Sequence, residues 1–254
     1  MRNALLAAAV VICGIVPAAA QDEAAWTEIR ANLAGTRPIE DGAGAIILEA
    51  PTRAEDAALV PITVRLTGTG DARVRRLTLV VDENPAPIVS TFELTGVSGD
   101  FSLSTRIRVN SYSFVRALAE TEGGRLVMVK SYVKAAGGCS APAAKDPVEA
   151  KAHLGEMRFR VFANRGEAQV QVRHPNYSGL QMDQLTRHYT PAWYVERLEV
   201  RQGETPLFSM TGGISLSEDP TIRFTYAAGG APVTVEAKDT QGSVFRKAFP
   251  AAGS

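Results

Sequence analysis

The stretch Val60-Pro61-Ile62-Thr63-Val64-Arg65-Leu66 decides the fold class. Apolar side chains fall on every second residue, which is the period of a strand with one face in a core. β-branched residues supply most of them and suit a pleated surface. The same habit recurs on either side. Ala45 to Glu49 precedes the stretch; Arg75 to Val81, Ile88 to Leu94, Phe101 to Val109 and Arg125 to Tyr132 follow it. Ser111 to Leu118 is ambiguous alone and reads as β from its flanks. Gly, Asn, Asp and Pro separate these runs, as at Gly68 to Asp71 and Glu83 to Pro87. About seven short strands with frequent turns predict an immunoglobulin-like sandwich. Upstream, Asp22 to Ala34 is rich in Ala, Glu, Trp and Leu and predicts one short amphipathic helix, ended by Gly35 and Pro38.

Downstream, Ala135-Ala136-Gly137-Gly138-Cys139-Ser140-Ala141-Pro142-Ala143-Ala144-Lys145 has no periodicity and no large apolar side chain, and reads as a flexible linker. Strand patterns then resume. Met157 to Ala163 and Glu167 to His174 form a hairpin about Asn164-Arg165-Gly166. Tyr194 to Arg201, Pro206 to Met210, Thr221 to Tyr226, Pro232 to Asp239 and Val244 to Phe249 complete a second set. The expected fold is all-β: two immunoglobulin-like β-sandwich domains, residues 21–134 and 150–254, joined by a Gly/Ala-rich, cysteine-bearing arm and linker over 135–149.

Residues 1–20 read as an export signal. Arg2 gives the positive start, and Ala4 to Val16 is apolar but too short to span a bilayer. Ala18-Ala19-Ala20 offers small residues for cleavage before Gln21. The mature protein is therefore expected to be soluble and periplasmic, with no membrane partner. Lys plus Arg and Asp plus Glu balance at 27 each, which gives no reason to expect nucleic acid.

Cleavage removes Cys13 and leaves Cys139 alone. An unpaired cysteine in an oxidising compartment implies an intermolecular disulfide, an incidental thiol, or a thiol kept for chemistry. Its neighbours Gly137 and Gly138 predict a pliable arm with an exposed sulfur, reaching roughly 20 Å from the end of the preceding strand. Lys134 and Lys145 would favour the thiolate. Deep burial of the sulfur in a packed interior, with its glycines locked into sheet hydrogen bonding, would overturn transport of cargo.

Other chemistry is sparse. His153, His174 and His188 match no zinc spacing, and no second cysteine assists, so no metal and no cofactor are expected. No nucleophile elbow, phosphate loop or dinucleotide fingerprint occurs. Asp82 and Glu83 read as a solvated turn. Tyr177, Tyr189, Trp193 and Tyr194 make the second half rich in aromatics, which suits core and inter-domain packing, with a partner-docking patch as the alternative.

The order of several short motifs resembles a SoxYZ carrier of bacterial thiosulfate oxidation with its two subunits fused. Ala54-Glu55-Asp56 ahead of Val60 to Val64, Glu83-Asn84-Pro85-Ala86-Pro87, Thr105-Arg106-Ile107-Arg108-Val109 and Gly137-Gly138-Cys139 resemble SoxY. His174-Pro175, Pro191-Ala192-Trp193-Tyr194-Val195, Ser215 to Pro220 before Ile222-Arg223-Phe224, and Val233 to Gly242 resemble SoxZ. The resemblance implies that Cys139 is the attachment residue for sulfur-linked intermediates, that Gly137 and Gly138 give the arm its freedom, and that the carrier is not itself an enzyme. It implies periplasmic sulfur-oxidation enzymes as partners. Two departures stand out: Ser140-Ala141 replaces the family's closing glycines, and the chain continues, so the arm is tied at both ends. The fused form resembles SoxYZ-like carriers associated with quinoprotein (pyrroloquinoline quinone) dehydrogenases, which adds such a dehydrogenase and cytochrome c components as candidate partners. On that footing an accessory protein without covalent cargo is the alternative reading.

Overall fold

The computed structural model describes residues 18–67, 73–94, 100–142, 147–183 and 186–251. Residues 1–17 of the predicted export signal, Cys13 among them, lie outside the described residues, as do Lys145 and the Gly68 to Asp71 turn. In chain order the elements are helix α1 (Ala18–Ala34) and strands β1 (Ile39–Asp41), β2 (Ile46–Glu49), β3 (Val60–Leu66), β4 (Val74–Val81), β5 (Ile88–Glu93), β6 (Phe101–Ile107), β7 (Ser113–Thr121) and β8 (Leu126–Val133). Helix α2 (Pro147–Ala152) follows. Then come β9 (Met157–Phe162), β10 (Glu167–Val172), β11 (Val195–Gln202), β12 (Thr205–Gly212), β13 (Thr221–Thr225), β14 (Val233–Asp239) and β15 (Val244–Phe249).

The alternation in β3 is realised as expected: Val60, Ile62, Val64 and Leu66 are buried, while Pro61 and Arg65 face solvent. Strand β4 behaves differently, with Leu77 to Val81 all buried. Helix α1 is the reason. Its residues Trp26, Ile29 and Ala34 recur at helical spacing and cover the outer face of the sheet at Val80, Leu118 and Leu126. A strand covered on both faces loses the polar half of its pattern.

The two halves are each sandwiched, and the structure adds that they merge edge to edge. One nine-stranded sheet runs β1-β8-β7-β4-β5-β12-β11-β14-β15, and a six-stranded sheet runs β2-β3-β6-β13-β10-β9. The crossing points are antiparallel pairs. Strand β5 meets β12, with Phe92 opposite Met210, and β6 meets β13, with Leu103 opposite Phe224. A bare edge strand presents unsatisfied N–H and C=O groups, and each half ends the other's edge. One apolar core runs through the seam, where Phe208 lies 6.1 Å from Phe92 and 4.9 Å from Phe224 between ring centroids. The two sandwiches joined by a linker thus share a continuous double layer.

Three features escaped the pattern reading. Strand β1 is three residues long and pairs in parallel with β8, too short for a period to register. Helix α2 falls partly in the segment read as linker. The 173–194 segment holds no named strand among its described residues. It is secured by the reciprocal Tyr177–Trp193 backbone bonds of 2.7 and 3.0 Å, and Asn176 within it adopts φ 45°.

Candidate functional site at the seam

Beyond β8 the chain lies down rather than projecting. The Lys134 amide donates to Thr52 O at 2.9 Å, and its carbonyl accepts from Ala54 N at 3.1 Å. The Gly137 amide then donates to Asn110 O at 2.8 Å, and the Gly138 amide to Val109 O at 3.1 Å. A turn closes over Gly137 to Ser140, with Gly137 at φ 79°, a conformation in which a glycine is at ease. Cys139 sits in this turn with 0% of its surface exposed.

This corrects the expectation of an exposed thiol on a pliable arm. Gly138 is required for close approach, since a Cβ there would lie 2.1 Å from Ala57 O and 2.7 Å from Val109 O. Both glycine amides are hydrogen-bonded, so neither acts here as a free swivel. The physical reason is that the second half brings partners the local sequence lacks. Ser178 donates its hydroxyl to Cys139 O, and the Gln181 side-chain amide donates to Ala141 O at 3.1 Å.

Beneath the loop lies a buried polar network that sequence reasoning missed. The Arg108 side chain, 1% exposed, donates through Nη1 to Gly138 O at 3.1 Å and through Nη2 to Asn176 O at 3.3 Å. Asn84 Nδ2 donates to Arg108 O at 2.7 Å and to Ser215 Oγ at 3.0 Å, while its Oδ1 accepts from Asn110 N at 2.8 Å. Ser215 Oγ donates to Ala86 O at 2.8 Å and interacts with the Cys139 thiol. Arg108, Asn84 and the loop come from the first half; Asn176, Ser178, Gln181 and Ser215 come from the second. A signal was present in the sequence: Asn84, Arg108 and Ser215 each lie inside a motif stretch quoted above, as polar residues where strands end.

Burial pushes the Cys139 thiol above its ordinary value, with the charge of Arg108 and the Ser215 hydroxyl opposing. Burial thus works against the thiolate, the nucleophilic form, while the sulfur is seated. The cation beside it is Arg108, whereas Lys134 spends its backbone on the 52–54 segment.

The histidines occupy separate settings. His153 Nδ1 lies 2.7 Å from Glu156 Oε1 at the surface. His174 is buried edge-on to Trp193, 5.0 Å between ring centroids, and its Nδ1 accepts from Asn176 N at 3.0 Å. Its Nε2 is 3.6 Å from Asp239 Oδ2, an electrostatic contact too long for a hydrogen bond. Desolvation depresses the His174 pKa, with Asp239 opposing. The His188 amide is 3.5 Å from the Thr186 hydroxyl, and its carbonyl accepts from Asp183 N. Of the aromatics, Tyr177 and Trp193 are buried and Tyr189 is exposed. Asp82 is buried rather than a solvated turn residue. Among the described residues no cluster of metal-binding side chains occurs.

Two family models match consecutive blocks of this chain. The sulfur oxidation protein SoxY matches residues 30–139 and the sulphur oxidation protein SoxZ matches residues 161–250.

The chain belongs to the SoxY and SoxZ families, fused in one polypeptide.

The SoxY match ends on Cys139, and the seat around that residue is shared between the SoxY and SoxZ halves. Among solved structures, the sulfur carrier protein SoxY from Chlorobium limicola f thiosulfatophilum is 22% identical, with a TM-score of 0.38 over 46% of this chain and 96% of that one. A superoxide reductase (neelaredoxin) from Ignicoccus hospitalis is 14% identical, with a TM-score of 0.28 over 42% of this chain and 90% of that one. None of the curated proteins matches the chain.

Proposed function

We propose that this chain is a covalent carrier that holds sulfur-linked intermediates on Cys139 and presents them to partner enzymes in the periplasm. The observation that carries the reading is the position of Cys139, the last residue of the SoxY match and the centre of a seat furnished by both halves. The chain holds and presents; the bond-making and bond-breaking enzymes are its partners. Those partners are sulfur-oxidation enzymes, or a quinoprotein dehydrogenase with cytochrome c components. Export rests on Arg2, the apolar run Ala4 to Val16 and the small residues Ala18 to Ala20.

Because the thiol is seated, loading needs a local opening. The loop is retained by its two glycine amides, by Ser178 and Gln181, and by Arg108. At about 1 kcal/mol net per hydrogen bond, opening costs on the order of 5 kcal/mol, within the range of sub-global openings. The seated state is a resting state that shields the sulfur from stray oxidation; a partner that binds the open loop draws it out. Intact-mass spectrometry of protein taken from its native compartment tests this. A mass increment on Cys139 that changes with the sulfur supply is expected; an unmodified thiol under every growth condition overturns it.

Burial of Cys139 favours a second reading, an accessory protein for a periplasmic quinoprotein dehydrogenase with no covalent cargo. It predicts that Cys139→Ser leaves flux through the host pathway intact, whereas the carrier reading predicts its loss.

A further inference from the structure

We propose that Arg108 makes the Cys139 seat selective for charge, so that the loop reseats with a negatively charged adduct on the sulfur and is expelled by a neutral adduct of similar size. Its biological use rests on the carrier reading above. The selectivity itself rests on the chemistry of the seat.

The Arg108 guanidinium is almost wholly buried, and its Nε–H has no partner. Its two bonded nitrogens meet backbone carbonyls, Gly138 O and Asn176 O, which supply dipoles and no net charge. Among the described residues it forms no ion pair; Glu218 and Asp56 act on it from longer range, and the Cys139 sulfur lies within reach of its charge. A buried cation left without an anion is costly, and a low-dielectric setting sharpens that cost. The empty carrier offers little to offset the deficit, because burial works against the charged form of its thiol.

With Cys139 fully covered, any adduct must shift the loop, and the energy of reseating depends on what the adduct brings. A neutral adduct brings bulk and at most a neutral acceptor, and leaves the cation without its counter-charge. An anionic adduct brings the missing charge and an acceptor oxygen for that donor, a charge-assisted hydrogen bond in a dry site. Ser215 and Asn84 are neutral and already bonded to one another and to backbone, so Arg108 is the charged group that discriminates.

The test uses the full chain and two methanethiosulfonate reagents, sulfonatoethyl and hydroxyethyl. In each case the Cys139 thiolate, formed on transient opening, displaces methanesulfinate and forms a mixed disulfide. Hydrogen exchange of the Gly137 and Gly138 amides then reports seating. In the natural sequence the sulfonatoethyl adduct should protect these amides about tenfold better than the hydroxyethyl adduct, equivalent to about 1.4 kcal/mol. Arg108→Met should erase the gap and Arg108→Lys should keep its direction. Equal protection by the two adducts in the natural sequence overturns the proposal even if Arg108→Met does not fold, as does a gap undiminished in a folded Arg108→Met. Absence of cargo in the native compartment would sink the carrier reading and leave this measured preference standing, so the two failures are separable.

Discussion

Trp26 of the N-terminal helix lies 4.2 Å from the guanidinium of Arg116, ring face to cation, and roofs a buried ion pair. Beneath it Arg116 forks onto Asp82 through Nε and Nη2, the closest contact being 2.6 Å, with both side chains at 1% exposure or less. Removing one partner breaks a buried, charge-assisted pair. Asp82→Asn should therefore lower the unfolding free energy by about 3–5 kcal/mol, read from the urea midpoint at unchanged slope. Trp26→Ala should weaken the same site and loosen α1 from the sheet.

Gly138→Ala should unseat the loop. The added methyl would fall on Ala57 O, a backbone atom that cannot rotate away. Overpacking of this kind costs about 1–3 kcal/mol, comparable with part of the energy that holds the loop down. Alkylation of Cys139 by iodoacetamide should accelerate at least severalfold while the thermal midpoint of the body stays nearly fixed. An unchanged alkylation rate would show that the loop does not need this close approach.

The seated thiol makes stability depend on alkaline pH. Burial raises the Cys139 pKa from its ordinary 9.0, so the folded chain keeps a proton that the unfolded chain releases first. The contribution is intact below the ordinary value and is lost as pH rises through the folded value. Relative to Cys139→Ser, the natural protein should lose stability as pH climbs past 9.0, measured by chemical denaturation at a series of pH values.

His174 works in the opposite direction. Its pKa falls from the ordinary 6.5 through desolvation, with Asp239 and Asp219 opposing, so the unfolded chain takes up a proton that the folded chain refuses. Stability is present above 6.5 and drains away as pH falls below it. His174→Gln should flatten that acid limb in the same denaturation series.

The continuous sheets make the covalent join between halves dispensable once folding is done. A protease site placed between Pro142 and Pro147 and cut in the folded protein should leave the fragments together on gel filtration. Two β pairings and the Phe92–Phe208–Phe224 contacts hold them. Fragments that separate in native buffer would contradict the shared core.

Strand identity was legible where one face met solvent, as in β3, because the period of two survives there. It blurred in β4, where α1 covers the second face and erases the polar positions. The seat was illegible for a different reason. Gly137-Gly138-Cys139 has no intrinsic means to bury itself, and its burial comes from Asn176, Ser178 and Ser215, remote in sequence. Glycines that read as freedom in one dimension serve as clearance in three. Cys139 as the residue of interest was legible from its isolation and its motif; its surroundings became visible only when both halves were assembled.

The partners of Cys139 arrive late. A chain made from its N-terminus presents the cysteine before Asn176, Ser178, Gln181 and Ser215 have been added. Until the last hundred or so residues have folded onto the first sheet, the sulfur has no cover from the second half. Fusion shortens that interval to the folding time of a single molecule, with no wait for a second subunit to diffuse in.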